Sequence, residues 1–96
     1  MKHFVWNAEK NQSIKGERKI SFEEIIFYIE NGYILDILQH PNQEKYKGQK
    51  IFVVNVENYA YLVPFVETEH EIFLKTIIPS RKATNKYFLN KTKENK

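Results

Sequence analysis

The stretch KIFVVNVENYAYLVPFV, residues 50–66, decides the fold class. Two runs rich in β-branched and aromatic residues, Lys50 to Val56 and Tyr59 to Val66, flank Glu57-Asn58. Asn58 accepts the left-handed backbone that a two-residue hairpin turn requires. With that turn, Phe52, Val54, Val56, Tyr59, Tyr61, Val63 and Phe65 share one sheet face, and Ile51, Val53, Asn55, Ala60, Leu62 and Pro64 share the other.

Working outward, a polar turn from Glu67 to Glu71 precedes a strand from Ile72 to Ile78, which Pro79 ends. Ser80 caps a last helix from Arg81 to about Leu89. Upstream, Tyr33 to Leu38 reads as a strand bounded by Gly32 and Pro41, and His40 to Gln49 as a polar loop. Ser21 and Glu24 form a capping-box pattern, and Phe22, Ile25, Ile26 and Ile29 recur at helical spacing until Asn31-Gly32. Asn7 caps a weaker helix from Ala8 to about Arg18, whose inward positions are Ala8, Asn11 and Ile14, and His3 to Trp6 is a short strand. The expected order is β-α-α-β-β-β-β-α, an α+β fold in one domain over residues 1–89 with a frayed basic tail over 90–96.

A chain of 96 residues with 42% hydrophobic and 15% aromatic side chains has room for one core and enough apolar area to build it. It contains no cysteine, which removes disulfides and thiolate zinc sites and suits a reducing cytoplasm. The polar residues that follow Trp6 leave no apolar run for a signal peptide, and no stretch is long enough to span a membrane. The net charge of +3 is unevenly placed: Arg81, Lys82, Lys86, Lys91, Lys93 and Lys96 face Glu94 alone, while the preceding body is slightly acidic. Such an end suits RNA phosphates or an acidic protein, or serves as a solvated tail.

No phosphate-binding glycine loop, nucleophile elbow or histidine pair at metal-ligand spacing occurs, so neither a metal nor an organic cofactor is expected. His40 ends a strand and opens a loop with Asn42, Lys45, Tyr46 and Lys50, where an imidazole can act as acid or base or remain a solvated loop residue. Arg81, at the first turn of the last helix, either holds an anion with the backbone N–H groups or reaches back to a strand carboxylate. Tyr59, Tyr61 and Lys75 on neighbouring strands offer stacking and phosphate-binding groups, or pack at the rim of the core. Trp6 reads as a core anchor, and Glu23, Glu24 and Glu30 as the solvated face of the second helix.

Phe4-Val-Trp6-Asn7, Lys10-Asn11, Ile20-Ser21-Phe22-Glu23-Glu24 and Ser80-Arg81-Lys82-Ala83-Thr84, in this order and spacing, resemble the BrnT family of bacterial toxins. The resemblance spans essentially the whole chain. It implies a RelE-like fold, with helices packed on one side of a curved, mostly antiparallel sheet. It also implies the toxin of a type II toxin–antitoxin system: a metal-independent endoribonuclease that arrests growth, with a cognate DNA-binding antitoxin as partner and RNA as substrate. Arg81 falls on the family's arginine at the start of the last helix, and Trp6 and Lys10 fall on its N-terminal motif. The chain departs from the pattern at Glu17-Arg18, where many relatives carry Lys-His, at Ile14 in place of Asn, and at Thr76, with Lys75 beside it, where a basic residue often stands.

Two readings follow. In the first, Arg81 holds the scissile phosphate, Lys75 or Lys50 adds positive charge, His40 or Tyr46 moves protons, and Lys82, Lys86, Tyr61 and Lys10 bind the rest of the RNA. In the second, the chain is a non-catalytic toxin-fold relative whose sheet and last helix grip an acidic protein or RNA.

Overall fold

A computed structural model describes residues 2–89. The hairpin forms with the expected register: β3 (Lys50–Val56) pairs antiparallel with β4 (Tyr59–Glu67) through Val56–Tyr59, Val54–Tyr61 and Phe52–Val63. Both turn residues are left-handed, Glu57 at φ 53° and Asn58 at φ 68°, the geometry whose twist matches that of the strands. Asn55 Oδ1 accepts from Asn58 N–H at 2.9 Å and closes the turn.

Among the described residues six strands form one mostly antiparallel sheet, in the order β1 (His3–Trp6), β5 (Glu71–Leu74), β4, β3 and β2 (Ile34–Gln39), with the short β6 (Ile78–Pro79) also on β4. β1 runs parallel to β5, and β2 is the opposite edge. Between them in sequence lie α1 (Ala8–Arg18) and α2 (Phe22–Glu30). The Ser21–Glu24 capping box is complete, and Asn7 Oδ1 accepts from Lys10 N–H at 2.9 Å.

The single strand expected from Ile72 to Ile78 is two strands, β5 and β6 (Ile78–Pro79). Leu74 pairs with Phe65 but Ile78 with Leu62, so this side carries one residue more than β4 does, which is a bulge. The extra residue lets Ile77 turn into the core, where it is fully buried, while its carbonyl accepts from Arg18 Nη1 at 2.9 Å.

The core lies between α1, α2 and one sheet face, and joins Ile14, Phe22 and Ile25 to Phe52, Val54, Val63, Phe65 and Leu74. Phe52 and Phe65 stack with centroids 4.0 Å apart, and Trp6 lies 6.1 Å from Phe22. Asn11, buried between the helices, accepts from Phe22 N–H and donates to Glu23, each at 2.9 Å. One side chain thus satisfies an otherwise orphaned first-turn N–H and fixes the angle between the helices.

The expectation of helices on one side holds for α1 and α2 and is corrected for the last helix. It begins as α3 (Arg81–Thr84), continues as a π-helical turn (Asn85–Leu89), and crosses the reverse face over Val53 and Leu62. Thr84 anchors it: its Oγ1 accepts from Ala60 N–H at 2.8 Å and donates to Ser80 O at 2.7 Å, extending the sheet ladder through a side chain. Ala60 is fully buried, so Thr84→Val should strand its N–H and destabilise the protein by about 1–3 kcal/mol, read from a thermal or denaturant melt.

Candidate nucleic-acid interface

A second bulge, at Leu35, decides which side of the sheet Asp36 faces. Ile34 pairs with Val54 and Asp36 with Val53, so the extra residue moves Asp36 from the helix-covered face to the reverse face. There its Oδ2 accepts from the Tyr87 hydroxyl at 2.7 Å, pinning the π-helical turn to the edge strand, while its Oδ1 accepts from Ile37 N–H at 2.8 Å. The Tyr87 hydrogen bond, followed by the Ile37 N–H, holds the Asp36 carboxyl below the usual range. Desolvation and then Asp36 push the Tyr87 phenol up to about 12.

The signs fix the pH window in which the contact stabilises the fold. Asp36 contributes above its ordinary range and loses that contribution as pH falls through its lowered value; Tyr87 contributes below about 10 and loses its contribution as pH rises through about 12. An absorbance titration of the six tyrosines should therefore contain a component near 12, which Asp36→Asn shifts back toward 10.

Against this anchored segment lies a groove of about 180 Å³. Leu38, Val53 and Leu62 form its floor, and Ser80, Lys82, Ala83, Lys86 and Tyr87 its wall. Lys86 Nζ stands 5.3 Å from the Tyr87 ring. Lys75 shares this side of the sheet: it follows β5 with its N–H on Pro64 O and its Nζ 5.4 Å from the Phe73 ring. Arg81 opens α3, exposed, and among the described residues its guanidinium has no hydrogen bond or ion pair. The anion site expected of the helix N-terminus reduces largely to this guanidinium, because α3 is only four residues long and Ser80 already engages the N–H groups of Ala83 and Thr84.

Compared with known proteins, no family model, curated protein or solved structure matches this chain.

His40 and Tyr46 do meet, with ring centroids 4.3 Å apart, in a loop organised by Gln43. Gln43 donates to His40 O at 2.7 Å and to Gln49 O, and accepts from Gly48 N–H. His40 Nδ1 accepts from Asn42 N–H at 3.0 Å, so the neutral ring carries its proton on Nε2. In this conformation His40 is a donor, with its basic nitrogen engaged by the backbone. Lys45 Nζ lies 5.3 Å from the Tyr46 ring. Two residues before His40, Leu38 forms part of the groove floor, which puts this loop at the groove's end.

The remaining candidates are not brought together. Lys50 pairs with Phe65, on the helix-covered side and near Glu67. Tyr61 packs on the core on that same side, 5.7 Å from Tyr59, so the joint Tyr59–Tyr61–Lys75 surface does not form. Burial raises the Tyr61 phenol, with smaller contributions from Tyr59, Glu57 and Glu24. Lys10 is exposed in the first turn of α1. His3 and His70 are exposed on strand β1 and in the turn before β5, and among the described residues no three metal-ligating side chains converge. No helix there is long and apolar enough to cross a membrane. The tail lysines Lys91, Lys93 and Lys96 lie outside the described residues. Sequence reading missed Asp36 and Tyr87; the signal was an acid placed alone in the apolar run Ile34 to Leu38.

Proposed function

We propose that the chain is the toxin of a type II toxin–antitoxin system, a RelE-like, BrnT-type endoribonuclease that works without metal in the bacterial cytoplasm and is neutralised by a cognate antitoxin. The observation that carries this reading is the basic reverse face: Lys82 and Lys86 over an apolar sheet groove, the unengaged Arg81 next to Lys82 in the first turn of α3, and Lys75 on the same side of the sheet. Cations beside apolar floor residues match a single-stranded RNA, whose phosphates need charge and whose bases need dry contact. The family resemblance falls on the same segment, Ser80 to Thr84.

Cleavage on this surface uses the RNA's own 2′-hydroxyl. Its oxygen attacks the adjacent phosphorus and the bond to the 5′-oxygen breaks; the attacking hydroxyl gives its proton to solvent water, and the leaving oxygen takes one from solvent water. Arg81 stabilises the charge that gathers on the phosphorus oxygens. His40 and Tyr46 sit by Gln49, six residues along the chain from Asn55, whose partner Ala60 holds Ser80, so about 20 Å separates them from Arg81 and they contact the RNA away from the scissile phosphate.

Purified protein incubated with labelled RNA should cleave it as fast in EDTA as in magnesium. Cleavage that stops on chelation and returns with a divalent ion would contradict the metal-free mechanism. The second reading, a non-catalytic binding module, draws on the engaged His40 Nδ1, which leaves no ready base in the loop. Saturable RNA binding without any cleavage would favour it.

A further inference from the structure

On the opposite side of the molecule, where α2 ends and β2 begins, three rings form a corner. Phe27 and Tyr28 meet at 84° with centroids 5.6 Å apart, and Tyr28 and Tyr33 at 79° and 5.5 Å. Together with Asn31 and Glu57 they line a cavity of about 420 Å³. Phe27 is 58% exposed and Tyr33 45%, an unusual display of aromatic surface in a chain that buries Phe22, five residues earlier, completely.

The lining sorts by charge. It holds ring faces, the Glu57 carboxylate and the Asn31 amide, whose Nδ2 gives one of its two hydrogens to Phe27 O at 2.7 Å and whose Oδ1 adds an acceptor. No cation lines it, and among the described residues Glu57 makes no ion pair. Near-perpendicular rings beside a carboxylate present several negative π-faces and a counter-charge to one small volume, which is the chemistry that selects an organic cation. Glu57 is held there by the left-handed hairpin turn, at φ 53°.

We propose that this corner is a binding site for the guanidinium or ammonium of a basic side chain carried by a partner polypeptide. A free small cation is the poorer occupant, because rings this exposed leave it largely hydrated. A polypeptide brings further surface to cover the outer ring faces, and β2, which starts next to Tyr33, is an edge strand with Ile37 half exposed on the helix-covered side. The site does not depend on the ribonuclease reading, since it lies away from the basic groove.

The test uses NMR titration of the full chain with a capped five-residue peptide bearing arginine at its centre and alanine elsewhere, a twin with citrulline in place of arginine, and methylguanidinium. The arginine peptide should give saturable shifts confined to Phe27, Tyr28, Tyr33 and Glu57, and the citrulline twin none. Glu57→Gln should weaken binding about threefold and Tyr33→Leu should abolish it. Should Tyr33→Leu fold poorly by thermal melt, Phe27→Leu, at a more exposed position, takes its place. Methylguanidinium should bind about tenfold more weakly than the peptide. Equal binding of the citrulline twin, no saturable shift with the arginine peptide, or shifts that survive both ring substitutions would overturn the site. Methylguanidinium binding as tightly as the peptide would overturn the polypeptide occupant.

Discussion

Replacing Arg81 by alanine should abolish growth arrest while leaving the fold intact. The guanidinium is exposed and unpartnered among the described residues, so its loss removes no contact that holds α3 in place; Ser80, Thr84 and Tyr87 do that. If it stabilises charge developing on the phosphate, the loss amounts to roughly 3 kcal/mol of transition-state stabilisation, or about a hundredfold in rate. Arg81→Lys should recover only part, because an ammonium keeps the charge and loses the planar two-point grip on phosphate oxygens. Induced expression in bacteria, with a thermal melt of the purified variant, checks both halves. A folded Arg81→Ala protein as toxic as the parent would shift the chemistry to His40, Tyr46 and Lys75.

The largest effect on stability belongs to Phe22. Its ring is fully buried at the start of α2, against Trp6 and among the residues that join both helices to the sheet. Phe22→Ala should cost about 3–5 kcal/mol, much of the 5–15 kcal/mol typical of a whole domain. Phe27→Ala, five positions along the same helix and 58% exposed, should cost under about 1 kcal/mol. Fluorescence of Trp6, the only tryptophan, followed through a urea titration reports both. Similar midpoints for the two variants would contradict the placement of the core between α2 and the helix-covered sheet face.

The hairpin was legible because period-two alternation and a two-residue turn fix both its register and its faces, and the capping box was legible because it is local. What escaped the sequence came from single-residue insertions against a partner strand. The extra residue between Leu74 and Ile78 splits a strand that reads as continuous, and Leu35 reverses the side that Asp36 faces. Neither leaves a local mark, because a bulge is defined by the strand opposite. The position of α3 had a signal that went unused: Val53, Ala60 and Leu62 are as apolar as the face that α1 and α2 cover, and a sheet apolar on both faces is covered on both. Of the candidate site, the cluster of Arg81, Lys82 and Lys86 was visible as charge in one short segment, and the nearness of His40 to Tyr46 as one loop. The separation of Tyr61 from Lys75 was not, since it follows from the pairing of Phe65 with Leu74 across the turn, which sets Lys75 opposite Pro64 on the reverse face.

Mapping of RNA 5′ ends in cells shortly after induction distinguishes a ribonuclease from a binding module. New internal ends should appear before growth slows and be absent with Arg81→Ala. Growth arrest by the parent protein without any new ends would contradict the ribonuclease reading.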